Sequence, residues 1–362
     1  MVSITGNTIT EWNAENVSGE VKNRGGRAIR LALGTLAEGS TVTIGGNTFR
    51  KNAAGLGLDE PDFVKISGAG SASVDISGND WNDLFGSQEV FDTKAYTKTG
   101  GMRDAYVCRL QSGNGFMLVG TDMTSRLGWT SNHIMDLMLS PDLIHWTKEA
   151  FIDLESEENL AALSKVFPDM DTEKMTAAWA PQVIYDPQTQ KYVLYYSVGF
   201  PDYHRTFYQL LDEELNILTE PRLYFSPGYD IIDADIVWNA VDQQYTMLFK
   251  CEQTNGFDRA TAPTLVPADP ATPADPTAPN TTVWTVTPDF HVGENNQAIE
   301  GMSQWRPIGD LRWRLAYINY SGGYTYRMRY MDEHCLNVDA AGHTISGNLR
   351  AQHGCVLKLT QQ

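Results

Sequence analysis

Three carboxylates occupy matching places in a repeated local pattern. Asp104 lies in Gly-Met-Arg-Asp-Ala-Tyr-Val, Asp233 in Ile-Ile-Asp-Ala-Asp-Ile-Val and Glu300 in Ala-Ile-Glu-Gly-Met-Ser. After each acid comes a β-branched or aromatic run, a polar turn and a second strand rich in aromatics. The paired runs are 106–110 with 116–120, 236–238 with 245–249, and 302–305 with 313–317. One carboxyl group can donate a proton while a second removes one, and a third can tune either. Cleavage of a glycosidic bond requires that division of labour.

Acids at one place in successive sheet units meet only if the units are arranged around a common axis. Four units can be traced, at roughly 103–154, 178–226, 231–292 and 299–340. The second carries no acid, and Gln182 in Trp179-Ala-Pro-Gln-Val stands where one is expected. A supersecondary unit recurring at this spacing predicts a propeller or array. The closing segment 350–360, with residues near 85–102, predicts a fifth blade that joins the chain ends. The expected fold is all-β, a five-bladed β-propeller over residues 89–362 preceded by a small β-rich accessory module over 1–88. That module is rich in Gly, Ser, Thr and Asn, with short alternating segments separated by turns. Helical periodicity is confined to 156–167. The proline-rich tract 260–280 excludes a central strand and predicts a surface loop within a blade.

The chain has 362 residues, enough for a large core, and a formal net charge of −18. That charge argues against nucleic acid and anionic membranes as partners and accounts for solubility. The 16 Tyr, 13 Phe and 9 Trp suit strands, and a minority of them suit sugar faces. Cys108, Cys251, Cys335 and Cys355 show no metal-ligand spacing. Cys108 and Cys251 read as buried thiols, whereas Cys335 and Cys355 are open to pairing. No apolar stretch reaches transmembrane length, and the first residues do not read as a signal peptide.

Several positions keep two readings. Asp235 competes with Asp233, because alternate strand residues share a side-chain direction. Trp179 serves either a sugar-binding floor or the core, and Gln182 joins it as a candidate for that floor. Lys250, Arg306, Arg312 and Arg314 are candidate ligands for sugar hydroxyls or ordinary surface cations. Trp305 is a candidate for burying Glu300 and for touching substrate. His353 is either a residue near the axis or an ordinary strand histidine. The six other histidines show no metal-ligand pairing, which argues against a catalytic zinc.

The ordered set of these motifs resembles glycoside hydrolase family 43, over roughly residues 95–362. Arg103-Asp104 resembles the strand of the general base, and Ser140-Pro-Asp-Leu-Ile-His-Trp146 resembles the outer strand that follows it. Trp179-Ala-Pro-Gln182 resembles a Trp-Ala-Pro-acid strand. Ile232-Asp233 resembles the strand of the pKa-modulating Asp, and Phe249-Lys-Cys-Glu252 a Phe-Lys-Asp-Glu stretch. Glu300-Gly301 resembles the motif of the general acid, and His353-Gly-Cys-Val356 a late His-Gly-Ser element. Ala105 and Met302 depart from the family's prolines, and Gln182 from its acid.

The resemblance implies that Asp104 is the general base, Glu300 a general acid with a raised pKa, and Asp233 an ionised modulator. It implies an inverting, exo-acting glycosidase that releases a pentose, with L-arabinofuranose first. A β-xylosidase and a galactan- or galactofuranose-directed enzyme are the alternatives within the family. A non-catalytic carbohydrate-binding propeller is the alternative of another class. No cofactor is expected for the chemistry. A structural calcium on the axis, with His353 helping to hold it, is the one metal the resemblance raises. A carbohydrate substrate, a monomer, and an extracellular or periplasmic microbial setting complete the expectation, with a cytoplasmic setting as the alternative.

Overall fold

The computed structural model describes residues 2–5, 8–10, 29–32, 40–45, 47–50, 64–67, 73–75, 93–130, 132–267, 283–294, 297–307, 310–320, 325–340, 342–346 and 353–356. Proximity in space divides the chain into two compact units, residues 1–90 with 344–350 and residues 91–343 with 351–362.

Among its described residues the N-terminal unit holds seven short strands: β1 (Val2–Thr5), β2 (Thr8–Thr10), β3 (Ile29–Ala32), β4 (Thr41–Gly45), β5 (Thr48–Arg50), β6 (Val64–Ser67) and β7 (Ser73–Asp75). All their pairings are parallel, β1 with β4 and β4 with β7, β2 with β5, and β3 with β6. Each strand therefore pairs with the third strand after it, which is the order of a three-sided solenoid. The sequence carries the matching repeat. Val2-Ser-Ile-Thr-Gly-Asn-Thr8, Val42-Thr-Ile-Gly-Gly-Asn-Thr48 and Val74-Asp-Ile-Ser-Gly-Asn-Asp80 align in sequence, and Val2, Val42 and Val74 are register partners. Val42 and Ile44 are fully buried. Asn47, also buried, donates from Nδ2 to the Ile4 carbonyl at 2.9 Å, which ties two successive coils together.

Among its described residues the second unit contains four antiparallel sheets, three of them four-stranded. The first is β8 (Met102–Arg109), β9 (Phe116–Asp122), β10 (Ile134–Ser140) and β11 (Thr147–Asp153). The ten-residue helix α1 (Glu157–Val166) follows, capped by Ser156, whose side chain accepts from the Asn159 N–H. The second sheet is β12 (Ala177–Asp186), β13 (Lys191–Gly199), β14 (His204–Leu211) and β15 (Arg222–Phe225). The third is β16 (Ile231–Asn239), β17 (Gln244–Cys251), β18 (Gly256–Ala262) and β19 (Thr285–Val286). The fourth is β20 (Ile299–Trp305), β21 (Trp313–Asn319) and β22 (Thr325–Met331).

The opening strands pack against one another in turn, β8 on β12, β12 on β16 and β16 on β20. This is an all-β propeller arrangement of four blades among the described residues. A fifth blade is not among them; the segments expected to build it, near 85–92 and 357–362, lie outside the described residues, and residues 93–101 are not strand. The proline-rich tract lies outside them over 268–282.

Strand alternation explains how four sheets share their cores. On β13, Leu194, Tyr196 and Val198 enter the core facing the first sheet, with Leu137 and Phe207. Val193 and Tyr195 enter the next core, with Tyr224, Phe249 and Trp284. On β17, Met247 and Phe249 join that core, while Leu248 enters a third one with Trp313 and Tyr317. The central strands are buried on both faces, which is why they read as continuous apolar runs. Among the described residues, no helix is long and apolar enough to cross a membrane.

Candidate active site

Each opening strand is broken at the same place. Against its partner, β8 gains one residue between Arg103 and Tyr106, β12 between Trp179 and Gln182, β16 between Ile232 and Asp235, and β20 between Glu300 and Ser303. The bulged residues are Asp104, Ala180, Asp233 and Gly301, with φ of 54°, 48°, 54° and 61°. This left-handed conformation suits Gly and is tolerated by Asp. A bulge bends the strand and re-aims the side chains on either side of it.

The bulge N–H groups are anchored across blades. Ala180 N donates to Thr121 Oγ1 at 3.0 Å, Asp233 N to Ser197 Oγ at 3.2 Å, and Gly301 N to Asp233 Oδ2 at 3.1 Å.

The bulges set the equivalence of the blades. Asp104 and Asp233 occupy one position, and Ala180, not Gln182, is its counterpart in the second blade. Glu300 sits one residue earlier, level with Arg103, Trp179 and Ile232. All four residues of that level line one cleft of about 510 Å³, together with Asp104, Asp233, Lys250, Glu252, Tyr320, His353 and the loop residues Met123, Ser125 and Trp129.

Two residues after each bulge, side chains turn inward. Gln182 is buried and accepts from the Tyr195 hydroxyl at 2.8 Å. Asp235 is buried and accepts from Gln304 N and Nε2 at 2.9 and 3.0 Å. The extra residue thus breaks the shared direction expected of Asp233 and Asp235, and only Asp233 faces the cleft. Gln182, expected on the sugar floor, belongs to the interior network. Trp305 and Arg306 are not among the cleft-lining residues; Arg306 lies over the Trp313 ring, 5.3 Å from its centroid.

His353 stands between the carboxylates. Its Nε2 is 3.2 Å from Asp104 Oδ1 and 3.6 Å from Asp233 Oδ2. Two residues on, Cys355 Sγ receives the Val107 N–H of β8 at 3.3 Å, which fastens this segment beside the first blade. All four cysteines are free, so the pairing open to Cys335 and Cys355 is not made.

Opposite, Lys250 Nζ lies 2.9 Å from Glu300 Oε2 and 2.7 Å from Glu252 Oε1. The Tyr320 hydroxyl donates to Glu300 Oε1. Trp179 stacks on His204 with ring centroids 4.9 Å apart and donates from Nε1 to Asn132 Oδ1 at 2.9 Å. The indole is therefore held on its face and at its edge.

The electrostatics order the acids differently from the expectation. Burial lifts Asp233 to about 6; the charges of Glu300 and Asp104 push the same way, against His353 and Lys250. Burial also works to raise Glu300, but the Lys250 ammonium and the Tyr320 hydroxyl outweigh it and hold the group below the usual glutamate range. Burial thus disfavours the charged form of Asp233, while the Lys250 ammonium favours the charged form of Glu300. Burial opposes charge on His353, yet Asp104, Asp233 and Glu300 together raise its pKa.

Tyr320, Trp129 and Met123 were not singled out from sequence. Tyr320 directly follows the strand after Glu300, a signal available from the repeat itself. The loop residues carry none.

A carboxylate oxygen of Asp233, one of Glu300 and a ring nitrogen of His353 lie within 4.8 Å of one another. Calcium takes six to eight oxygen ligands. Here the set is two carboxylates and an imidazole, and the Lys250 ammonium already neutralises one of them. These residues do not fit the calcium that the resemblance raised.

Three comparisons bear on the chain. A family model described as a probable glycosyl hydrolase domain, related to glycoside hydrolase family 43, matches residues 68–362. An α-L-arabinofuranosidase of Bifidobacterium longum subsp. longum is 23% identical over 190 residues, 44% of this chain and 16% of that protein. The chain thus spans a small part of that relative's length. Among solved structures, an exo-β-1,3-galactanase from Phanerochaete chrysosporium is 13% identical with a TM-score of 0.48, over 68% of this chain and 51% of that one. An arabinanase from Bacillus subtilis is 16% identical with a TM-score of 0.41, over 68% and 78%.

Proposed function

The chain belongs to the family of glycosyl hydrolase domains related to glycoside hydrolase family 43, and from this membership we propose that it is an inverting glycosidase that removes a terminal pentose, L-arabinofuranose, from a saccharide chain. The observation that carries the reading is the meeting of Asp104, Asp233, Glu300, His353 and Lys250 in one cleft.

In this reading Asp104 is the general base. Its carboxylate takes a proton from water as the oxygen attacks the anomeric carbon. Glu300 is the general acid and gives its proton to the leaving oxygen. Base and acid stand on different blades, with His353 and Asp233 between them, and a separated pair leaves room for a water molecule. Asp233, bonded to the N–H that follows Glu300, positions the acid and stores its proton. Lys250 holds Glu300 ionised in the resting site. A sugar hydroxyl that takes over one of Lys250's two carboxylate contacts weakens that hold and lets the proton pass from Asp233 to Glu300. Trp179 supplies an apolar plane for the sugar ring.

Turnover of nitrophenyl α-L-arabinofuranoside, β-xyloside and β-galactofuranoside tests the sugar. NMR of the first-formed product tests the stereochemistry. Release of arabinose with inverted configuration is expected; a retained anomer, or turnover confined to another sugar, would displace the corresponding part of the proposal.

A further inference from the structure

Neither His204 nor Asp230 lines the cleft, yet both bear on Trp179, which does. The His204 imidazole lies nearly parallel to the indole, with an interplanar angle of 22°. His204 opens β14 of the second blade, opposite Gly199 on β13. A Cβ added at Gly199 would come within 2.9 Å of His204 Nε2 and 2.4 Å of Thr176 Oγ1, so the ring fits close against the β13 backbone. Asp230 directly precedes β16 of the third blade. Its Oδ1 accepts from the backbone N of His204 and lies the same 2.8 Å from Nδ1. A carboxylate only accepts, so Nδ1 carries the proton that faces it. Nε2 is buried and has no hydrogen-bond partner among the described residues. The imidazole is therefore tethered at one nitrogen, and Asp230 is that tether. Asp230 is itself fixed, because its carbonyl accepts from Glu252 N, just past β17, at 3.0 Å.

The bond from Trp179 Nε1 to Asn132 holds one edge of the indole and leaves it free to rock about that bond. A ring stacked on its face removes the rocking, but only if that ring cannot turn. Asp230 supplies this condition. An indole covers the C–H face of a sugar only when the two planes are parallel, and a small misplacement of a bound sugar weakens every contact aimed at it.

We propose that His204 and Asp230 are positioning residues that set the plane of Trp179 against the sugar ring, so that a wall of the cleft built by the second blade is aligned from the third. This rests on the glycosidase reading above.

The test uses His204→Ala, Asp230→Ala and Asp230→Asn, each alone and combined with Trp179→Ala. The chain has 9 Trp, and the Trp179→Ala partner of each variant gives the background emission to subtract. Contact with an imidazole quenches indole fluorescence. Trp179 emission is expected to rise in His204→Ala and in Asp230→Ala. It should stay near the wild-type level in Asp230→Asn, whose amide oxygen still accepts from His204. On whichever of the three nitrophenyl glycosides is turned over, both alanine variants should lose about three- to tenfold in kcat/KM, the size of a lost aromatic stack. With Trp179 already replaced by Ala, the same changes should cost less than about twofold, because coupled residues are not additive. Unchanged emission in both alanine variants, or no loss of kcat/KM, overturns the proposal. Losses that persist in full without Trp179 also overturn it, since they belong to a general effect on the fold.

Calorimetric binding of L-arabinose, D-xylose and D-galactose separates this idea from its premise. If the wild type cleaves none of the glycosides but binds one of these sugars, and His204→Ala and Asp230→Ala weaken that binding about three- to tenfold only while Trp179 is present, the glycosidase reading fails and the positioning role stands. Binding that the variants leave unchanged, or no binding and no turnover by the wild type, sinks the positioning role.

Discussion

Lys250 Nζ lies 2.9 Å from Glu300 Oε2 while also holding Glu252 at 2.7 Å. The lysine is 6% exposed at its side chain, so the pair sits largely out of water and its charges are poorly screened. It therefore favours the ionised form of Glu300. Between them Glu300 and Asp233 share the titration, and the upper step belongs to the pair rather than to one residue.

Replacing Lys250 by Met removes the charge that stabilises ionised Glu300. A carboxyl deprived of a neighbouring cation holds its proton to higher pH. The alkaline limb of the kcat/KM profile, expected near pH 6 in the wild type from the value burial gives Asp233, should move to higher pH. A pH–rate profile reads this directly; a limb that stays put or moves down contradicts the role given to Lys250.

Asp104→Asn and Glu300→Gln each remove a group that transfers a proton. Turnover of a natural oligosaccharide should fall at least about a hundredfold in each case, the lower end for a positioned acid or base. Circular dichroism should be unchanged, because both residues face the cleft. A loss below tenfold in either variant would move the catalytic assignment elsewhere.

Asp233→Asn removes the proton store beside Glu300. The step near pH 6 should vanish and the alkaline limb shift to lower pH. Dinitrophenyl glycosides, whose leaving groups need little protonation, should be slowed less than oligosaccharides. Steady-state rates on the two substrates at several pH values decide it. Equal slowing with an unmoved limb would make Asp233 something other than the partner of Glu300.

Asp235→Ala provides the contrast two residues away. It leaves the buried N and Nε2 of Gln304 without their carboxylate, and an unpaired buried donor costs about 1–3 kcal/mol. Urea unfolding should show that loss of stability. The alkaline limb, normalised to folded protein, should not move.

Much of this arrangement is legible in the amino-acid sequence. Strand alternation, aromatic second strands and turn residues located four blades close to their observed bounds, and three acids on opening strands pointed to a common mouth. Two further features are written in the sequence: the Val-x-Ile-x-Gly-Asn repeat of the N-terminal unit, whose copies are short and far apart, and Tyr320 just past the strand after Glu300.

Other features are not properties of any local stretch. Alternation along β16 makes Asp233 and Asp235 equal, and one inserted residue at φ 54° separates them, sending one to the cleft and the other under Gln304. The same bulge shows that Ala180, not Gln182, is the counterpart of the acids. The order of the pKa values depends on Lys250 and Tyr320 arriving beside Glu300 from the second strands of the third and fourth blades. Residue types and their period determined which groups were available for acid–base chemistry. Only the closing of the blades around one axis decided which charges stand within a few ångströms of one another, because Coulomb energy and burial depend on distance in space and not on separation along the chain.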